Sequence, residues 1–321
     1  MALSVPENPF QRLIKACNDS PVLAVLLSTL KGRINCIQAQ LQEHYEAHRT
    51  SRNAQYRARI LSSDFPGWQV DEILRRLHES SSESDAPLID TRNNLSFWAR
   101  PPRHIRDLIA GIQEDIRTVA PTLWFAPPEY LHTTVLEIAS SRTPAEVDAL
   151  VSRLSSEGAD ARIASYTLSH RTHLVNPVVT YDAMAMALSF VPAADDAYSY
   201  HHLRRDVFDQ VVASEVEINS RYAVPSAHIT IARFITQDGF QREGSGPDAR
   251  CVDSGRVRAL IESIDGINER IRGHWGMTAA EWVVGHEKGL DLHGGRTWYG
   301  GGEAIMVGQG FGDVEEKVEA S

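Results

Sequence analysis

Cysteine is nearly absent. The 321 residues contain three, Cys17, Cys36 and Cys251, with no Cys-x-x-Cys among them. So sparse and odd a set excludes a disulfide framework and a zinc knuckle, and it points to a reducing compartment, the cytoplasm or the nucleus. Basic residues are also short: 32 Lys and Arg face 42 Asp and Glu, a formal charge of −10. Phosphate contacts dominate nucleic-acid affinity, so an acidic chain is not expected to grip an extended polyanion. A nucleic-acid substrate should be small or held in a local pocket. No apolar run is long enough to span a membrane. The longest near the start, PVLAVLLSTL at residues 21–30, is about half the length required. Arg12 and Lys15 precede it, but no small-residue cleavage pattern follows, so a buried helix is expected there rather than a signal peptide. The chain also lacks a solenoid period, a Gly-x4-Gly-Lys-Ser/Thr loop and an HExxH.

What is present is enough apolar material for a sizeable core, 42% of residues. Residues 7–62 read as mostly helical, with a helix start at Asp19-Ser20-Pro21 and a polar stretch from Gln38 to Ile60 that is either an exposed helix or a partly mobile one. A short helix is expected over 67–78. ESSSESDAP, residues 79–87, reads as a linker, which divides the chain into a helical extension (1–87) and a main domain (88–321). From there NLSFWAR is strand-like. Ile105, Leu108, Ile109, Ile112 and Ile116 have helical spacing. A strand, a Pro-Pro-Glu turn and another strand follow, then a helix opened by a Thr143/Glu146 capping box. The second half repeats the theme: strands over 177–192, a helix with Leu203, Val207 and Val211 on one side, and the strand AHITIARFI. A later helix and glycine-punctuated closing strands complete an α+β chain. Its expected form is two similar lobes of antiparallel sheet backed by helices around a central cleft.

His-x-Thr occurs four times, at His48, His132, His170 and His228. His48 lies in a charged helical stretch and is expected to be solvated. His170, in TLSHRTHLV, is a competitor, with His173 nearby. His132 and His228 differ from both. Each sits on a strand with an apolar tail, follows a proline-containing turn, and comes after a strand and a helix. Residues two apart on a strand face the same side, so His132 points with Thr134 and His228 with Thr230. Two such strands facing one cleft would gather two imidazoles and two hydroxyls. That set suits phosphodiester chemistry. One neutral imidazole takes a proton, the other protonated imidazole gives one, and the hydroxyls hold the non-bridging oxygens. No metal or other cofactor is expected. The rival, a metal centre on His170 and His173, has no carboxylate cluster beside those residues.

The paired motifs LHTTVLEI and AHITIARF make the chain resemble the two-histidine phosphoesterases, the superfamily of 2′,3′-cyclic nucleotide phosphodiesterases and 2′-5′ RNA ligase-like proteins. The resemblance spans residues 93–310. The helical extension and GLDLHGGRTWYGGG resemble a fungal branch of RNA ligase/cyclic phosphodiesterase-like proteins. The resemblance implies a metal-independent phosphodiesterase that opens the 2′,3′-cyclic phosphate of a nucleotide or RNA end. His132 would be its acid, His228 its base, and Thr134 and Thr230 its phosphate clamps. A ligase-like or RNA-end-binding module with little turnover is the alternative, and a partner-binding role for residues 1–87 a further one. Trp124, Tyr130, Trp298 and Tyr299 are candidates to stack on a base, and Arg296 to contact phosphate or base. Arg233, three residues past Thr230, would face away on an uninterrupted strand unless a bulge re-aims it.

Overall fold

In the computed structural model of this chain the described residues are 7–19, 30–79, 91–220, 223–243, 250–274 and 280–312. The helix expected over residues 21–30, and most of the linker with the domain boundary near residue 88, lie outside them. The helices are α1 (Pro9–Asn18), α2 (Leu30–Ile60), α3 (Glu72–Glu79), α4 (Arg103–Val119), α5 (Pro144–Ser156), α6 (Ala159–Ala164), α7 (Tyr200–Ala213) and α8 (Ser254–His274). The chain is α+β, and every strand pairing is antiparallel. The first sheet has the order β11 (Glu303–Gln309), β10 (Lys288–Gly295), β1 (Asn93–Ala99), β3 (Thr133–Arg142). The second runs β2 (Trp124–Phe125), β6 (Ala227–Arg233), β5 (Ala185–Pro192), β4 (Thr172–Tyr181), β9 (Trp282–Val284). β7 (Gln241–Glu243) and β8 (Arg250–Val252) form a separate ribbon.

The two halves exchange strands. β2, from the first half of the chain, pairs with β6, and β10 and β11 from its end complete the first sheet beside β1. The exchange covers an edge of β6 that would otherwise present unpaired backbone groups. β3 and β6, the strands that carry the paired motifs, lie against each other across the two sheets.

Local sequence accounts for most of the helices. The five apolar positions of α4 are all buried, and the Thr143/Glu146 capping box forms at the start of α5. Helix α2 departs from the exposed helix expected there. Gln38, Leu41, Tyr45, Arg49 and Ile60 are buried along it, the first four as a stripe at three- and four-residue spacing. Two of the five are polar because they meet carbonyls: Gln38 donates to Ala197 O at 3.2 Å, and Arg49 to Asn176 O at 2.6 Å and Ser189 O at 2.9 Å. An apolar-only pattern search cannot see such a face. Phe10, Tyr45, Ile60, Phe65 and Trp68 join the same core as the two sheets. No helix among the described residues is long and apolar enough to cross a membrane.

Candidate active site

The two motif strands share an irregularity. Phe97 pairs with Leu136 but Trp98 with Thr134, so Val135 is an extra residue on β3. Met186 pairs with Ala232 but Ala187 with Thr230, so Ile231 is an extra residue on β6. A bulge resets the alternation of side chains. Val135 and Leu136 both turn into the core, as do Ile231 and Ala232. Glu137 and Arg233 therefore return to the faces of Thr134 and Thr230. One offset relates all three pairs: 228 − 132, 230 − 134 and 233 − 137 each equal 96. The result is one cleft of about 180 Å³ lined by His132, Thr134, Glu137, His228, Thr230 and Arg233. Arg233 thus faces the cleft, which an uninterrupted strand would not allow.

β1 supplies the floor on the His132 side through Asn94, Ser96 and Trp98. The Trp98 indole stacks on the His132 imidazole, centroids 3.7 Å apart, and on that of His293 at 4.1 Å. His132 Nδ1 lies 2.7 Å from Tyr130 O. A carbonyl only accepts, so Nδ1–H donates and Nε2 is the nitrogen left for chemistry. Arg100 locks this turn by donating to the carbonyls of Glu129 and Leu131, which flank Tyr130, and to the buried Asp291 carboxylate at 2.9 Å. Gly300 presses on the same turn. Its φ of +90° suits glycine, and a Cβ there would stand 2.4 Å from Tyr130 O. The glycine-rich segment therefore packs against the carbonyl that orients His132.

On the other side Ser226 Oγ lies 3.0 Å from His228 Nδ1. The entry to β6 is tied to β3 by Arg204 of α7, which is fully buried. It donates to Val135 O at the first bulge (3.0 Å), and to Val224 O (2.7 Å) and Ser226 O (3.5 Å) before His228. One side chain thus couples the two histidine strands.

Both imidazoles are partly buried at the cleft, and desolvation disfavours the imidazolium. His132 is pushed down to about 3, chiefly by desolvation, with Arg100, His293 and His228 adding to it against the opposing bond to Tyr130 O. His228 is pushed down to about 4 by desolvation, then by Arg204, Arg233 and Arg52, with Asp182 opposing. Desolvation also lowers His201 to about 3 and His202 and His293 to about 4. All five sit below the unfolded value of about 6.5. Between that pH and about 4 the unfolded chain binds protons that the folded chain refuses. The stability these groups contribute is complete above pH 6.5 and is lost as the pH falls through that window. His201 is 1% exposed, and it alone accounts for about 2 kcal/mol between pH 6.5 and 5. The urea midpoint is expected to fall markedly from pH 7 to pH 5; a flat profile would mean these imidazoles protonate freely in the folded chain.

The remaining candidates scatter. Trp298 lines the cleft. Tyr130 acts through its backbone oxygen, as described above. Trp124 and Tyr299 are not among the residues lining the cleft; they meet edge to face at 6.4 Å, and the Tyr299 hydroxyl donates to Asp71 at 2.7 Å. Arg296 lies outside the cleft, in a separate depression with Asp148 and Glu303. His170 is stacked on Tyr166 at 3.9 Å, ahead of β4 rather than on a strand. His173 pairs with Asp196 at 2.6 Å, and no cluster of metal-ligating side chains occurs among the described residues. His48 is not a solvated residue: it is half-buried and lines a cavity next to the cleft. Residues not anticipated are Asn94, Ser96, Trp98, Glu137 and Thr297 in the cleft, and Arg52 beside it. The matched 96-residue offset of Glu137 and Arg233 was the one available signal for either.

Comparison with known proteins adds little. No family model matches the chain, and no curated protein matches it. A solved structure of a conserved protein of unknown function from Agrobacterium tumefaciens is similar to it at 13% identity and a TM-score of 0.40, over 68% of this chain and 87% of that one, a likeness too slight to carry functional meaning.

Proposed function

We propose that the chain is a metal-independent phosphodiesterase of the two-histidine type, acting on 2′,3′-cyclic phosphates of nucleotides or RNA ends. The observation that carries this reading is the convergence of His132, Thr134, His228 and Thr230 on one small cleft through two equivalent bulged strands. In the proposed reaction a water oxygen attacks phosphorus and its proton passes to His228. The P–O3′ bond breaks, and His132 delivers a proton to the departing O3′, leaving a 2′-phosphate and a 3′-hydroxyl. Thr134 and Thr230 donate to the non-bridging oxygens as their charge grows. The division into acid and base follows the family resemblance: the bond from Nδ1–H to Tyr130 O favours the His132 imidazolium, but desolvation outweighs it and holds His132 at about 3, below His228 at about 4. Both histidines are neutral at pH 7 in the free protein. The anionic substrate raises their proton affinity where the acid needs it.

The test is incubation with the four 2′,3′-cyclic mononucleotides in EDTA. Nucleoside 2′-phosphates are expected as the products. Inertness towards all four, together with inertness towards a cyclic-phosphate-terminated RNA, would end the reading.

A further inference from the structure

A second cavity of about 290 Å³ opens beside the cleft and shares His228, Thr230 and Arg233 with it. That is near the lower end of small-ligand pockets, which hold roughly 300–1,000 Å³. Its floor is the continuation of the same face of the second sheet, Thr180, Ala187 and Ser189. Its far wall is helix α2, through His48, Arg49, Arg52 and Asn53.

The charges on this wall are unequal in what they are free to do. Arg49 is buried, with its guanidinium committed to Glu46 and to the carbonyls of Asn176 and Ser189. Asp182 also lines the cavity, with Oδ1 accepting from the backbone of Met184 and Ala185. Arg52 makes no ion pair with the described residues and rests only over the Tyr56 ring, at 5.4 Å. Its charge nevertheless reaches both His48 and His228. A chain of net charge −10 thus holds an uncommitted guanidinium one cavity away from the catalytic pair, with Arg233 between them.

We propose that this cavity binds the nucleotide 5′ to the cyclic phosphate, with Arg52 contacting its linking phosphate, so that the preferred substrate is an RNA end rather than a mononucleotide. The proposal rests on the phosphodiesterase reading of the cleft. In it the described part of the N-terminal extension is half of the substrate site. An exposed arginine–phosphate contact supports a preference of about tenfold.

The experiment compares kcat/KM for three substrates: adenosine 2′,3′-cyclic phosphate, its 5′-phosphorylated form, and the dinucleotide ApA ending in a 2′,3′-cyclic phosphate. Wild type is expected to favour the dinucleotide over the mononucleotide about tenfold, mainly through KM. Arg52→Gln should bring that ratio towards one, whatever it does to the mononucleotide rate. If the 5′-phosphorylated mononucleotide matches the dinucleotide, a 5′-phosphate alone fills the site and the RNA-end assignment is overturned. Mononucleotide turnover with no dinucleotide preference overturns this inference and leaves the phosphodiesterase reading standing. If nothing is turned over, that reading fails separately. Binding of ApA 2′-phosphate against adenosine 2′-phosphate then decides the inference: tighter dinucleotide binding that Arg52→Gln abolishes supports it, and equal binding overturns it.

Discussion

His132→Ala and His228→Ala are each expected to lower turnover of a 2′,3′-cyclic phosphate by about 10²–10⁴-fold, the usual contribution of a general acid or base. The double variant should lose little more than the worse single one, because proton donor and acceptor act as a unit. Each imidazole also has a structural contact, so stability must be read alongside. His132 stacks on Trp98, and its removal exposes an indole face. His132→Gln preserves bulk and can still donate to Tyr130 O, and it should fall as far in rate while staying close to wild type in urea. The pH profiles carry independent information. Because kcat/KM reports the free protein, whose histidines sit at about 3 and 4, it should decline as pH rises through neutrality. The profile of kcat should lie at higher pH, since the bound phosphate favours the imidazolium. Histidine variants that keep wild-type turnover would move the chemistry elsewhere.

Arg204→Met is expected to cost about 3–5 kcal/mol of stability, because it leaves three backbone carbonyls short of a donor, at about 1–3 kcal/mol for each that stays buried and unsatisfied. Methionine preserves length and contact with Phe10, over whose ring the guanidinium lies at 4.2 Å. It donates nothing, however, and leaves the carbonyls of Val135, Val224 and Ser226 without that donor. Arg204→Lys should recover only part of the loss, since one ammonium cannot span acceptors on two strands as a planar fork does. Activity should fall in both variants even at temperatures where they remain folded, because β3 and the entry to β6 would no longer be held in one relation. Urea unfolding within about 1 kcal/mol of wild type for Arg204→Met would show that the two strands are held by packing alone.

Much of this molecule is decided by short-range rules that act within one element. The helical period places Ile105 to Ile116 on one face of α4, a capping box opens α5, and strand alternation sets His132 with Thr134 and His228 with Thr230. These depend on neighbours two to four residues apart, so they are legible in the letters. The α+β class and the pairing of the two His-x-Thr motifs followed from the same rules. Tertiary structure alone decided the rest. Alternation predicts the wrong face for Arg233, because a bulge is a property of two strands in register. The exchange of β2, β10 and β11 between the halves answers the demand of exposed strand edges, which no single segment encodes. Helix α2 read as solvated because its buried stripe includes Gln38 and Arg49, whose carbonyl partners lie more than a hundred residues away. His48 and Arg52 face a cavity only because that helix lies across the sheet carrying His228. Spacing can nominate side chains for chemistry, but their shared volume, their desolvation and their partners arise when distant strands meet.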